Sequence, residues 1–274
     1  MINDLDKNID NFVRPFSDSV TSTVFTSIDI YQNSLPLVVV WLVIASIFFT
    51  IYFRFINIRA FKRAFLVAIG KYDKPDAPGE ISHFQSFTAA LSGTIGLGNI
   101  AGVAIAISIG GPGAMLWMII MAFFGMTLKF VEVSLGHKYR VIYPDGTVSG
   151  GAVRYLSTGL GELGFPKFGK FLALFFAICC IGGSFGGGNM FQANQAFQQI
   201  VLATGGENSF FYNKGWLGGI FFALVVGSII IGGIKSIGKV TEKLVPIMGV
   251  IYCLGCLYII ISNISLLPKK IPPN

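Results

Sequence analysis

The chain is 274 residues long, 53% hydrophobic and only 12% charged, with a mean hydropathy of +0.71. A soluble domain carries charge on about a quarter of its residues, so this composition excludes an ordinary soluble fold. The net charge of +7 does not point to nucleic acid either, because the basic residues fall between apolar runs and form no continuous soluble face.

In chain order, residues 1–34 open with Asp4, Asp6 and Asp10 where a signal peptide would have a basic stretch followed by an apolar one. They are expected as an extracytoplasmic segment. Residues 35–53 are apolar without interruption and are expected to span the membrane. In residues 54–83, Phe55, Ile58 and Phe65 alternate with Arg59, Lys62 and Arg63, the pattern of an interfacial helix on a cytoplasmic linker. A second span is expected over 84–109, and a third over 114–136 after the turn Gly110 to Gly113, where Pro112 suits a helix start. A polar loop over 137–166 precedes a long, tilted fourth span, 168–204. The fifth and sixth spans are expected at 216–233 and 244–266, with 267–274 as a tail. Fourteen Lys and Arg fall on one side of these crossings and five on the other, which places both termini outside.

Within the second span stands Ser92-Gly93-Thr94-Ile95-Gly96-Leu97-Gly98-Asn99-Ile100-Ala101-Gly102. Each glycine costs a helix about 1 kcal/mol relative to alanine, and non-helical backbone at membrane depth must line a cavity or be buried in protein. A break here frees carbonyls that suit a bare cation on one side, and N–H groups at a positive dipole end that suit a carboxylate on the other. On spacing alone the glycines equally fit close helix packing, Gly98 and Gly102 above all. Asn99 favours a site, since an unpaired amide in lipid is costly. Asn189, Gln192 and Gln195 in the fourth span fall at helical spacing and read either as a polar stripe facing the break or as interhelical hydrogen-bond glue.

Lys129 and Glu132, at i and i+3 near the end of the third span, are expected as a structural ion pair. The spans otherwise lack the acids that proton relays use, so sodium, which carbonyl and amide oxygens alone can hold, is favoured over protons. Of the four cysteines, Cys179, Cys180, Cys253 and Cys256, the last two have zinc-like spacing but lie in an apolar run with no second pair or histidine nearby, and are expected as buried packing residues. His83 and His137 lie near span ends, and no nucleophile–base set or metal constellation points to an enzyme.

Residues 84–140 (FQSFTAALSGTIGLGNIAGVAIAISIGGPGAMLWMIIMAFFGMTLKFVEVSLGHKYR) resemble the hallmark region of the alanine or glycine:cation symporters. The stretches 150–161 (GGAVRYLSTGLG), 188–194 (GNMFQAN) and 232–246 (GGIKSIGKVTEKLVP) are similar to that family's later motifs, in the same order. The resemblance implies an all-α integral protein of a bacterial plasma (inner) membrane. Its fold would be of the leucine-transporter type, an extra N-terminal helix followed by inverted five-helix repeats. Residues 84–266 would be the first repeat, and the second is absent from the chain.

The implied activity is symport of alanine or glycine with sodium, with no cofactor. By the further similarity of Gly96 to Asn99 to the broken first helix of the neurotransmitter:sodium symporters, Leu97 and Gly98 would offer N–H groups to the substrate carboxylate. Thr94 and Asn99 would give oxygens to one sodium, and the carbonyls of Ser92 and Ile95 to a second. Gln192 would reach the substrate, whose site thus comprises Thr94, Leu97, Gly98, Asn99 and Gln192. Leu97 stands where relatives commonly have a small hydroxyl residue, and Ala152 where they have proline. The chain alone is expected not to transport. The alternatives are a two-gene transporter whose second repeat is a separate chain, or a channel or scaffold subunit that does not transport.

Overall fold

The computed structural model describes residues 2–30, 33–73, 79–184 and 190–265. In chain order the helices are α1 (Ile2–Val24), α2 (Leu37–Tyr52), α3 (Ile56–Arg59), α4 (Phe61–Ala68), α5 (His83–Thr94), α6 (Val103–Gly110) and α7 (Pro112–Lys138). They continue as α8 (Ala152–Arg154), α9 (Leu160–Glu162), α10 (Pro166–Gly183), α11 (Phe191–Ala203), α12 (Gly215–Ile230) and α13 (Gly233–Ser262). Two small antiparallel hairpins, β1 (Ser27–Ile30) with β2 (Asn33–Pro36) and β3 (Val141–Ile142) with β4 (Val148–Ser149), complete the elements.

Among the described residues, α7, α10 and α13 are each long and apolar enough to cross a bilayer; α5 and the helical stretch Gly98–Gly110 together make a fourth candidate, bent by 58°. The shorter apolar helices α2 and α12 have 16 residues each, or ~24 Å at 1.5 Å per residue against a hydrocarbon core of ~30 Å. Such helices meet the bilayer by local thinning or through their flanking residues. These are the helices of a multi-pass membrane protein. The stretch read as one tilted span over 168–204 contains α10 and α11, on either side of residues outside the described ones. The tail 267–274 also lies outside them.

The structure extends or changes three readings of the sequence. The N-terminal segment, for which no element was expected, holds a 23-residue helix and a hairpin whose second strand ends at Pro36. The loop 137–166 contains α8, a π-helical turn Tyr155–Gly159 and α9. At its hairpin tip, Asp145 accepts hydrogen bonds from the hydroxyl and the N–H of Thr147 (2.7 and 3.0 Å), which hold its carboxyl below the usual carboxylate range. Third, the cysteines are not packed inside the chain: Cys179, Cys180 and Cys253 are exposed and Cys256 is half-buried. In a membrane helix the apolar outward face is solvated by lipid, so a soft apolar side chain needs no protein core.

The described residues form two units, residues 1–61 with 112–132 and residues 62–111 with 133–274. The side chains buried completely are small and hydroxylic, although the second unit also buries Phe197, Val201 and Val245. In the first unit Ser46, Thr50 and Thr127 are wholly buried; the Thr50 hydroxyl lies 3.1 Å from that of Thr127, and the Asn57 amide donates to the Phe123 carbonyl at 3.0 Å. Small residues let helices approach closely, and short hydroxyl bridges then fix the register. Lys129 and Glu132 pair at 2.8 Å on the exposed face of α7. In the second unit, the Phe197 ring of α11 packs against Gly218 of α12, where a Cβ would stand 2.2 Å from the ring. Gly169 of α10 sits against the π-helical turn, with a Cβ position 2.5 Å from the Leu156 carbonyl oxygen.

Candidate functional site

The second unit carries the helix break. Ser82 opens α5 with a capping box: its hydroxyl accepts from the Gln85 N–H, and the Gln85 side chain accepts from the Ser82 N–H. The helix stops at Thr94. Ile95 leaves it with extended backbone (φ −83°, ψ 112°), donating its N–H to the Leu91 carbonyl. Gly96 is non-helical, and from Gly98 to Gly102 the chain resumes as a π-helical turn that runs into α6. Such turns break the normal hydrogen-bond ladder and recur at functional sites.

Asn99 closes the break on itself. Its side-chain oxygen accepts the Gly96 N–H at 3.2 Å, and its own N–H donates to the Gly96 carbonyl at 3.1 Å. This reciprocal pair satisfies the two backbone groups most isolated by the break. On the α5 side, the carbonyls of Ser92, Gly93 and Thr94 belong to a last turn with no intrahelical donor ahead of it. The Thr94 hydroxyl donates to the Ala90 carbonyl at 2.8 Å, which leaves its oxygen able to accept. On the other side, Leu97 and Gly98 begin the new helix, so their N–H groups have no intrahelical acceptor. Opposed sets of carbonyl oxygens and N–H groups thus flank two residues.

Gln192 of α11 comes to the same place. A Cβ on Gly96 would stand 3.0 Å from its amide nitrogen and 3.4 Å from its amide oxygen. Gly96 is therefore the glycine that permits a close approach. Gly98 and Gly102 have nothing within 4 Å of a Cβ position, so the tight-packing alternative for that pair finds no support among the described residues. Asn189 lies outside the described residues, and Gln195 is half-buried on α11. The oxygens at the break are neutral, being backbone carbonyls, the Thr94 hydroxyl and the Asn99 amide; among the described residues no cluster of His, Cys, Asp and Glu could hold a metal. A cavity of about 470 Å³ in this unit is lined by Leu135, Tyr139, Tyr155, Leu160 and neighbours, and takes in none of the break residues.

Sequence reasoning missed how α5 is held. Its partner is α13: Thr88 and Thr241 are buried with hydroxyls 3.5 Å apart, and the Gln85 amide donates to the Glu242 carboxylate at 2.9 Å. Gly238 lets the helices close, a Cβ there standing 3.3 Å from the Gln85 Cβ. Gln85 and Thr88, three apart, were the available signal for this face. Glu242 escaped because Lys235, Lys239 and Lys243 made the region look like a loop; instead α13 begins at Gly233 and includes it. Glu242→Ala leaves the Gln85 amide without its acceptor, and is expected to lower stability by about 1–2 kcal/mol. Glu242→Gln keeps an acceptor and should stay near wild type in a thermal unfolding scan; equal midpoints for the two variants would refute this role.

Residues 18–272 match the sodium:alanine symporter family. The chain belongs to that family. It is 39% identical over 230 residues to the sodium/alanine symporter AgcS of Methanococcus maripaludis, covering 84% of this chain and 49% of the relative. It is 36% identical over 227 residues to the amino-acid carrier protein AlsT of Bacillus subtilis (82% and 45%). The match to the probable sodium/glutamine symporter GlnT of the same organism is 35% over 232 residues (85% and 45%). The chain spans about half the length of these relatives.

Proposed function

We propose that this chain builds the ion- and carboxylate-binding break of a sodium-coupled symporter for a small neutral amino acid, alanine or glycine, working by alternating access. The observation that carries the reading is the pair of opposed helix ends at Thr94 and Leu97, joined by only Ile95 and Gly96. The substrate carboxylate takes the N–H groups of Leu97 and Gly98, which lie at the positive end of the second half-helix. Sodium takes the carbonyls of Ser92 and Ile95 at one site, and the oxygens of Thr94 and Asn99 at another. Asn99 keeps a lone pair for this role, since a carbonyl oxygen accepts two bonds and the Gly96 N–H uses one. Gln192, held against Gly96, faces the substrate from the side and orients it together with Thr94 and Asn99.

The fold reading belongs with this proposal: α2 as an extra helix, and residues 84–266 as one five-helix repeat of a leucine-transporter-type fold. So does the topology, a bacterial inner membrane with the N-terminus outside, which the distribution of Lys and Arg supports. The identity of the amino acid is left open, because one relative is named for alanine and another for glutamine.

The test is uptake of labelled alanine into vesicles under an inward sodium gradient. It is run with the chain alone and with the chain joined to the remaining half of the methanococcal relative. Saturable uptake by the fused protein, abolished when choline replaces sodium, is the expected result. Uptake indifferent to sodium, or a passive non-saturable sodium conductance, would refute the symporter reading.

A further inference from the structure

Helix α1 has no assigned role, and its sequence is amphipathic. Phe12, Val13, Phe16, Val20 and Val24 recur at spacings of three and four, and the spacing of Ile2, Leu5 and Ile9 continues the pattern toward the start. At 100° per residue these eight positions fall within an arc of about 120°. Phe12 is 87% exposed and Phe16 73%, and Val13, Val20 and Val24 are exposed too, so no part of the described chain covers these five. Pro15, inside the helix, lies outside this arc, and Asn11, whose carbonyl it leaves without an N–H partner, lies on the far side of the helix from the stripe. Water can satisfy that carbonyl; hydrocarbon cannot.

The end of α1 is fixed to the start of a membrane helix. The hairpin β1–β2 pairs Ser27 with Pro36, and the Leu37 N–H donates to the Thr26 carbonyl at 2.9 Å. The chain therefore leaves α1 at Val24, makes its hairpin, and returns to within one hydrogen bond of Thr26 as α2 begins. The first residues of α2 expose Leu37, Val39, Trp41 and Leu42, an apolar surface that lipid covers. The apolar stripe of α1 is thus tethered at the depth where hydrocarbon gives way to water, beside a face that already meets lipid.

We infer that α1 lies in the plane of the membrane surface, its stripe of Phe12, Val13, Phe16, Val20 and Val24 sunk into the headgroup–acyl boundary and its polar face in water. The occupant of the stripe is the phospholipid bilayer itself. Four acids (Asp4, Asp6, Asp10 and Asp18) against two bases (Lys7 and Arg14) on this segment make apolar insertion the driving force, so binding needs no anionic lipid.

The test uses the full chain with its four native cysteines replaced by alanine, in nanodiscs of pure phosphatidylcholine. Single nitroxide labels are placed by Phe12→Cys, Phe16→Cys and Val20→Cys on the stripe, and by Arg14→Cys, Asp18→Cys and Thr21→Cys on the polar face. Collision with oxygen, which concentrates in lipid, is compared with collision with a water-soluble nickel chelate. The expected result is an oxygen-to-nickel ratio severalfold higher at the three stripe positions, and unchanged when a fraction of phosphatidylglycerol is added. High nickel access at all six positions, or no periodicity, overturns the inference. Low access to both reagents on the stripe, with spin–spin broadening between labelled copies, overturns it as well, by giving the stripe to a second copy of the chain.

Discussion

Gly98→Ala is expected to leave the fold standing while raising the alanine concentration needed for half-maximal uptake by about 10- to 150-fold, the equivalent of one charge-assisted hydrogen bond of ~1.5–3 kcal/mol. Nothing lies within 4 Å of a Cβ at this position, and alanine favours the helix over glycine by ~1 kcal/mol. Stability should therefore hold or rise. The loss arises only if a ligand must approach the backbone N–H closely, which a glycine permits and a methyl group hinders. Gly102→Ala supplies the comparison, since its Cβ also meets nothing but it carries no proposed contact. Measured as sodium-driven uptake by the fused protein beside a thermal unfolding scan, Gly98→Ala should lose affinity and Gly102→Ala should not. If the two behave alike in uptake, the carboxylate does not bind at Gly98.

Gly169→Ala should have the opposite profile, a large loss of stability from a methyl group placed far from the break. Its Cβ would stand 2.5 Å from the Leu156 carbonyl oxygen, 2.9 Å from the Leu160 Cβ and 3.3 Å from the Ser157 carbonyl oxygen. Two of these three atoms are backbone, so no rotamer change relieves the clash, and α10 must separate from the π-helical turn Tyr155–Gly159. Overpacking costs ~1–3 kcal/mol where side chains can adjust, and the upper end applies here. The gain in helix propensity, ~1 kcal/mol, acts against this and is outweighed. Gly182, in the same helix, has nothing within 4 Å, so Gly182→Ala should unfold no earlier than wild type. A thermal scan in nanodiscs decides it: coincident midpoints for the two variants would mean that α10 is not packed as described.

The helix break was legible because glycine and asparagine are expensive at membrane depth, and Gly96, Gly98 and Asn99 stand where hydropathy alone would continue a span. The pairing of Asn99 with Gly96 was not legible, since a local side-chain bond leaves no periodic trace. Gln192 was readable as polar and helical, but its approach to Gly96 depends on how α11 packs. Helix α1 escaped for a different reason. Averaged along the chain its polar and apolar residues cancel, and only the angular spacing of Phe12, Phe16, Val20 and Val24 exposes it. The start of α13 was misplaced because lysines at 235, 239 and 243 look like a loop, although in a 30-residue helix of ~45 Å the first turns extend beyond a ~30 Å hydrocarbon core.

The wholly buried hydroxyls and the close-packed glycines of these helices imply an inverted tolerance to change. In a water-soluble enzyme, trimming a leucine or phenylalanine is harmful and trading one small residue for another is mild. Here outward-facing Ile109, Leu224 and Ile231, more than two thirds exposed, can drift among aliphatic alternatives under selection. Thr50, Thr127, Gly169 and Gly218 cannot gain a single carbon without rearranging their neighbours. Mutational scanning of this chain should therefore trace its interior through the smallest residues.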